Sequence, residues 1–421
     1  MLFRSLQELS AQAADGWQLS AKIWLQHSHR QIAPTLLQSS SSDQQTDRSL
    51  RLTAHAERQG SHSRSRLQQT YSREYLLFQT PALQALSQTQ TLQTSLNHRH
   101  IFGNLHLLEL TAQYFYAQAQ SPSGYAATAT QHRSRLSAFY RYRSANERWQ
   151  ISALTRGEYL WGLYPRAALS LQSHYQAARA WRLRLHAAHN YRLPTLNDWY
   201  WRVGGNPNLR PESNQIAEIA LQYERPQGSS TQQIWRIQAE AQAYYSQTRD
   251  YIAWLPDERT AQWSVFNLGS VQAFGVQTQG RVGLHLDSLW RIELSPRYSF
   301  TRAYEIGNSE KSQLIYAPQH QAQAQLQAAY GERFGAFYRQ EWTGARRVDE
   351  RTSLPRYSLA DAGIWANLRC GKFGANVELQ VYNLFNRDVQ IIANRPMPRR
   401  WWALSIRFDL HSAPQARKRE G

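Results

Sequence analysis

The sequence predicts an all-β chain: a transmembrane, antiparallel, up-and-down β-barrel. Three observations carry that expectation. Apolar and polar residues alternate with period two from one end of the chain to the other. The alternating segments run to about 10 to 14 residues, where strands of ordinary sheets have about five or six. The longer span suits a tilted strand crossing a hydrocarbon layer. Aromatic residues also gather at segment ends, as in Tyr114-Phe115-Tyr116, Tyr244-Tyr245 and Trp401-Trp402. Girdles of Tyr and Trp at both interfaces mark a membrane barrel.

The alternation is explicit in several runs. Trp17, Leu19, Ala21, Ile23 and Leu25 alternate with Gln18, Ser20, Lys22, Trp24 and Gln26. Trp181, Leu183, Leu185 and Ala187 alternate with Arg182, Arg184 and His186. Trp235, Ile237, Ala239 and Ala241 alternate with Arg236, Gln238, Glu240 and Gln242. Residues 321–328 alternate Gln with Ala or Leu, and 377–382 and 402–410 repeat the pattern. Successive strand side chains point to opposite faces, so each run makes one apolar and one strongly polar face. A water-soluble antiparallel sheet would share that pattern. Segment length and the aromatic ends favour the membrane form.

Short and long connections alternate. Short ones fall at 13–16, 100–104, 144–147, 176–179, 286–288, 330–333 and 370–372. Long ones fall at 30–47, 118–130, 192–212, 246–267, 301–318, 343–356 and 386–399. Outer-membrane barrels pair short periplasmic turns with longer extracellular loops. This reading yields about 19 strands, an odd number where an antiparallel barrel of this kind needs an even one. One, three or more strands are therefore expected to be missing at the front.

Composition narrows the class. By length alone, 421 residues suggest two or three domains, but one large barrel also fits. No linker or composition shift divides the chain, so 1–410 reads as one barrel and 411–421 as a basic, disordered tail. Cys370 is the single cysteine, which excludes a disulfide framework and a multi-cysteine zinc site. The net charge of +18 comes almost entirely from Arg. Those arginines are spread singly between apolar residues, unlike the concentrated patch of a nucleic-acid binder. No stretch is long and apolar enough for a spanning helix. The opening MLFRSLQELSAQ has neither the apolar segment nor the cleavage site of a signal peptide.

The most specific stretch is 191–224. Tyr191-Arg192-Leu193-Pro194-Thr195-Leu196-Asn197-Asp198 is followed by Gly205-Asn206-Pro207-Asn208-Leu209-Arg210-Pro211-Glu212. This order resembles TonB-dependent outer-membrane receptors, whose strands end in an aromatic-Arg-x-Pro-[ST]-Leu turn followed by a Gly-Asn-Pro-x-Leu-x-Pro-Glu loop. Further matches follow. Asn267-x-Gly269 with Gly275-Val276-Gln277 is similar to the family's Asn-x-Gly segment, with Gln277 in place of an acid. Tyr382-Asn383-Leu384-Phe385-Asn386-Arg387 is similar to the penultimate-strand ending. Pro396-Met397-Pro398-Arg399-Arg400 is similar to Pro-Met-Pro-Gly-Arg without its glycine. Trp24 to Pro34 is also receptor-like.

The resemblance implies a 22-stranded barrel with a plug in its lumen. About 18–20 of those strands are expected here. The family's signal peptide, TonB-contacting box and plug domain have no counterpart in this stretch, so it reads as the C-terminal part of a receptor. The implied function is uptake of a scarce solute such as a ferric siderophore, cobalamin or a sugar, driven by the inner-membrane TonB complex. The alternative is a passive channel without a plug, or a receptor fragment without transport. The implied partners are the TonB complex through the absent N-terminal region, outer-membrane lipid and lipopolysaccharide, and the barrel-assembly machinery. That machinery reads a terminal aromatic residue, whereas here Phe408 is followed by Asp409, Leu410 and the tail. The expected location is the outer membrane of a Gram-negative bacterium, as a monomer.

Candidate ligand-binding residues are Trp199, Tyr200 and Trp201 in the long loop and Arg182, Arg184 and Arg236 on the polar strand faces. The aromatics would stack on a ligand, or anchor and pack the loop. The arginines, with Arg281, Arg369 and Arg407, would draw an anionic ligand, or line a wet lumen in pairs with Asp and Glu. His27/His29 and His98/His100 each share a strand face but have no Cys or carboxylate partner at fixed spacing, so no metal or cofactor is expected. With no G-x-S-x-G and no phosphate loop, no catalysed reaction is expected either.

Overall fold

The computed structural model describes residues 2–32, 41–81, 83–162, 165–226, 235–256, 262–286, 289–306, 312–349, 351–371 and 373–410. The expected tail at 411–421, and Ala33 and Pro34 of the receptor-like early run, lie outside them.

The strands are β1 (Leu2–Gln12), β2 (Trp17–Gln31), β3 (Gln44–Gln59), β4 (Ser63–Gln79), β5 (Gln84–Phe102) and β6 (His106–Gln120). There follow β7 (Ala129–Arg143), β8 (Trp149–Leu160), β9 (Arg166–Ala178), β10 (Trp181–Arg192), the helix α1 (Leu196–Tyr200) and β11 (Glu212–Glu224). Then come β12 (Trp235–Pro256), β13 (Trp263–His285), β14 (Trp290–Ile306), β15 (His320–Tyr330) and β16 (Phe334–Thr343). The short pair β17 (Arg346–Arg347) and β18 (Ser353–Leu354) precedes β19 (Tyr357–Cys370) and β20 (Phe373–Tyr382). A second short pair, β21 (Gln390–Ile392) and β22 (Arg395–Pro396), precedes β23 (Trp401–Leu410).

Nineteen of these strands form one antiparallel sheet, in agreement with the count from the sequence. Each pairs with its neighbours along the chain, and the two short hairpins stand apart. Register keeps like faces together. Leu185 pairs with Ile219 and Ile219 with Ala243, while Arg184 pairs with Ala220 and Ala220 with Gln242. One face therefore carries exposed apolar residues such as Leu169, Leu171, Leu185, Ile219, Leu221, Leu326 and Ile364. Such a continuous apolar surface is far larger than a water-soluble monomer exposes. No helix among the described residues is long and apolar enough to cross a membrane.

The short-turn end carries paired aromatics on neighbouring strands. Trp149 meets Tyr175 at 4.4 Å, Trp181 meets Tyr223 at 4.9 Å, and Trp290 meets Tyr330 at 5.2 Å between ring centroids.

Two connections differ from the sequence reading. The 246–267 and 301–318 connections are shorter than expected, because β12 continues to Pro256, β13 starts at Trp263 and β14 continues to Ile306. Inward-facing Ile252, Trp254 and Val265 are apolar because they pack against a loop, so period two is lost there. Connections 80–83 and 161–165 are also short although they lie at the long-loop end.

The sheet ends at β1, which pairs with β2, and at β23, which pairs with β20. Both strands run toward the short-turn end. Direct β1–β23 pairing would therefore be parallel.

Candidate functional site

At the long-loop end the 193–211 connection turns into the concave side of the sheet. Local sequence explains the turn. Pro194 is almost fully buried, and Thr195 caps α1. Asp198 N–H donates to Thr195 Oγ1 at 3.2 Å, and Thr195 N–H donates to Asp198 Oδ2 at 2.8 Å. This reciprocal capping box starts a helix of one turn. Trp199 points into a core with Leu160, Leu209, Ile252 and Val265. Trp201 meets Tyr125 edge-on at 5.8 Å, and the two residues form a backbone bridge. Gly204 has φ +86°, and a Cβ there would sit 2.0 Å from the Trp263 carbonyl oxygen, so no other residue fits.

The motif residues tie this loop to the wall. Arg192 reaches Glu212 at 3.0 Å and Asp198 at 3.5 Å. Glu212 accepts the Ile252 N–H at 2.7 Å, and Asp198 accepts Trp254 Nε1–H at 2.8 Å. Gly205 N–H donates to the Trp201 carbonyl at 3.0 Å, and Asn206 N–H to the Asp198 carbonyl at 2.8 Å. Leu209 is buried, whereas Pro207 is exposed and Pro211 half-buried. Burial alone would push the Asp198 carboxyl up. The hydrogen bonds from Thr195 and Trp254, with Arg192 nearby, outweigh it and hold the group below its ordinary value.

The later motif is a second latch. Asn383 takes φ +51°, donates to the Arg387 carbonyl at 2.8 Å and the Pro398 carbonyl at 3.3 Å, and accepts the Arg387 N–H at 2.8 Å. Leu384 N–H donates to the Ala360 carbonyl at 2.7 Å. Phe385 is exposed, and Pro396 sits in the small β21–β22 pair.

The candidate ligand residues fall in two separate places. Trp199 is 8% exposed and Trp201 half-buried, so both give much of their surface to protein; Tyr200 is exposed. Arg182, Arg184 and Arg236 lie near the short-turn end of β10 and β12. Eight residues separate Arg184 from Arg192, roughly 26 Å along a strand at about 3.3 Å per residue. Arg184 pairs with Glu240 at 3.0 Å, Arg182 donates to Gln176 at 3.1 Å, and Arg236 stands exposed opposite Gly283. Arg281 pairs with Glu293 at 3.2 Å, and Arg369 lies 3.8 Å from Glu332. Arg407 is exposed on β23. Among the described residues no three His, Cys, Asp or Glu side chains converge as a metal-ligand set.

Sequence reasoning missed a mouth cavity of ≈ 570 Å³. Trp24, Asp47, Arg51 and Glu74 line it from the wall, and Asn197 and Trp201 from the inward loop. The Arg51 guanidinium lies 5.4 Å from the Trp24 ring centre. The Tyr125 hydroxyl donates to Asn197 Oδ1 and holds the loop side in place. Trp24 and Arg51 lie on neighbouring inward faces, but only the folded loop closes a cavity over them. Its size falls within the roughly 300–1,000 Å³ of small-ligand sites.

A wide antiparallel sheet, apolar outside and polar inside, with a loop latched into its mouth defines a large β-barrel of the outer-membrane receptor type. The chain belongs to the TonB-dependent receptor family: it matches the family described as TonB dependent receptor-like, beta-barrel, over residues 7–384. It is 24% identical over 205 residues to a vitamin B12 transporter BtuB of Vibrio vulnificus, covering 48% of this chain and 29% of that protein. It is 24% identical over 236 residues to an iron-regulated outer membrane virulence protein of Vibrio cholerae, covering 50% of this chain and 34% of that protein. The chain thus matches about a third of the length of these curated relatives. Its fold resembles the siderophore receptor PirA from Acinetobacter baumannii, with TM-score 0.75 and 12% identity over 97% of this chain and 70% of that one. It also resembles the copper transporter OprC, with TM-score 0.75 and 13% identity over 97% and 72% of the two chains.

Proposed function

We propose that this chain forms the barrel wall of an outer-membrane receptor that takes up a scarce small solute, such as a ferric siderophore or cobalamin, with energy from the TonB complex. The mouth cavity between Trp24 and Trp201 carries the reading. It offers the indoles of Trp24 and Trp201 for stacking, and Arg51 with Asp47 and Glu74 for orientation. Its walls are held by bonded side chains, so little ordering is needed on binding. In this reading the lumen arginines Arg182, Arg184 and Arg236 lie further along the solute's path. Inter-strand ion pairs such as Arg184–Glu240 and Arg281–Glu293 offset part of the positive charge of the polar face.

The test has two parts. The chain, extracted from outer membranes in detergent, is titrated with ferric siderophores and cobalamins while tryptophan fluorescence is followed. One ligand class should quench saturably, and Trp24→Ala should weaken it at least tenfold. If no member of the panel binds and reconstituted vesicles leak sugars without selectivity, the protein is a passive channel and the receptor reading is lost.

A further inference from the structure

A second cavity lies at the rim of the long-loop end, between residues 312–320 and the β16–β19 connection. Its volume is ≈ 650 Å³. The connection, Gly344 to Arg356, reads GARRVDERTSLPR. Arg346, Arg347 and Arg356 all line the cavity, with His320, Gln313 and Ser353, and no Asp or Glu lines it among the described residues.

Several arginines of the strand wall are held by acids. Arg64, Arg135, Arg184 and Arg192 each reach a carboxylate within 3.1 Å. Arg346 is 4% exposed, yet no carboxylate stands within ion-pair distance among the described residues. Its guanidinium lies 4.7 Å from the Tyr357 ring centre, and Nη2–H donates to the Gln390 carbonyl at 2.9 Å. Nε and Nη1 have no hydrogen-bond acceptor. Arg347 Nη1–H donates to the Gln313 carbonyl at 3.3 Å, and Arg356 is exposed. Asp349, the one acid of that connection among the described residues, accepts from the backbone N–H of Arg351 and Thr352 and from the Thr352 hydroxyl. It is spent within its own turn.

A buried cation is costly unless an anion or several acceptors offset its lost hydration. Among the described residues, three guanidinium groups surround one cavity with no lining carboxylate, which leaves room for an anion from outside. The planar fork of arginine matches the oxygens of a phosphate group. His320, hydrogen-bonded to Tyr298 Oη at 2.8 Å, and Trp342 also border the cavity and lie on the apolar-face side of β15 and β16. The cavity therefore sits where the apolar outer surface gives way to the rim.

We propose that this rim cavity binds a phosphate group, held by Arg346, Arg347 and Arg356. The group belongs either to a phosphorylated lipid of the surrounding leaflet or to a free phosphate-bearing solute. Neither source depends on which solute the barrel carries.

The experiment uses the whole chain folded in detergent, with inorganic phosphate in one arm and mixed micelles of phosphatidic acid in the other. Micelles of phosphatidylcholine set the background. Binding is read by calorimetry and by phosphorus NMR. Variants are Arg346→Gln, the double variant R347Q/R356Q, and Arg58→Gln near the opposite end of β3 as a control for loss of one charge away from the cavity. Retained β-type circular dichroism and heat-modifiable mobility show that each is folded. The proposal expects saturable binding in at least one arm, at least tenfold weaker in R347Q/R356Q and within twofold of wild type in Arg58→Gln. Loss in the phosphatidic acid arm alone assigns a lipid headgroup, and loss in the inorganic phosphate arm assigns a free solute. Should Arg346→Gln fail to fold, the double variant decides alone. No binding in either arm, or equal binding by R347Q/R356Q and wild type, overturns the proposal.

Discussion

Asn267 holds Arg210 by both of its backbone groups, accepting the Arg210 N–H at 2.8 Å and donating to the Arg210 carbonyl at 2.9 Å. A third bond runs from the same side-chain amide to the Asp250 carbonyl at 2.8 Å. One side chain on β13 thus does the work of a strand neighbour for the end of a loop that has none.

Asn267→Ala removes all three bonds and leaves the backbone of Arg210 without these partners. The loop should lose about 1–3 kcal/mol of local stability. Because the wall strands keep their ladders, global unfolding should change little. Limited proteolysis would show it as faster cleavage within 193–211 at an unchanged melting temperature.

Gly204→Ala should be worse than its size suggests. The new methyl would meet the Trp263 carbonyl at 2.0 Å on a residue with φ +86°. Overpacking and left-handed strain together cost about 2–4 kcal/mol. The near-ultraviolet circular dichroism of Trp199 and Trp254 should weaken, while the far-ultraviolet β signal stays.

The Asp198 carboxylate contributes stability that depends on acid. Its folded pKa lies below the unfolded one, so the contribution is present above the unfolded value of about 3.9 and is lost as pH falls through the folded value. Loop protection from protease should be flat from neutral pH to about 5 and fall only under stronger acid. Asp198→Asn should remove that acid dependence. A midpoint near neutrality would contradict the assignment.

Glu158 is the shared anion of the β7–β10 wall. Its side chain is 3% exposed and lies 3.1 Å from Arg135 and 3.9 Å from Arg133, and it accepts the Tyr191 hydroxyl at 2.6 Å. Glu158→Ala strands both cations. A dry pair broken this way costs about 3–5 kcal/mol. Arg133 and Arg135 remain 29% and 34% exposed, so solvent reduces the cost to about 2 kcal/mol. Denaturant unfolding followed by heat-modifiable mobility measures it.

The wall was legible because its signal is local. Leu183, Leu185 and their neighbours alternate with Arg182 and Arg184 whatever the rest of the chain does, and each strand repeats the message. The signal failed where the fold erased it. Ile252, Trp254 and Val265 face inward yet are apolar, since a loop about 50 residues away in sequence covers them. No periodicity within β12 or β13 foretells that cover.

By itself the sequence determined strand identity, the polar and apolar faces, the count in the sheet and the family to which the 191–212 motif belongs. Period two and turn chemistry are properties of neighbouring residues, so they survive without tertiary structure. Only the fold decided what that motif does. It decided that Trp199 and Trp201 pack inward, that Arg182 and Arg184 lie far from them along the wall, and that Trp24 and Trp201 share one cavity. It also left Arg346 buried without a carboxylate. These relationships join positions tens to hundreds of residues apart, and the curl of the sheet and the latches on its loop set them.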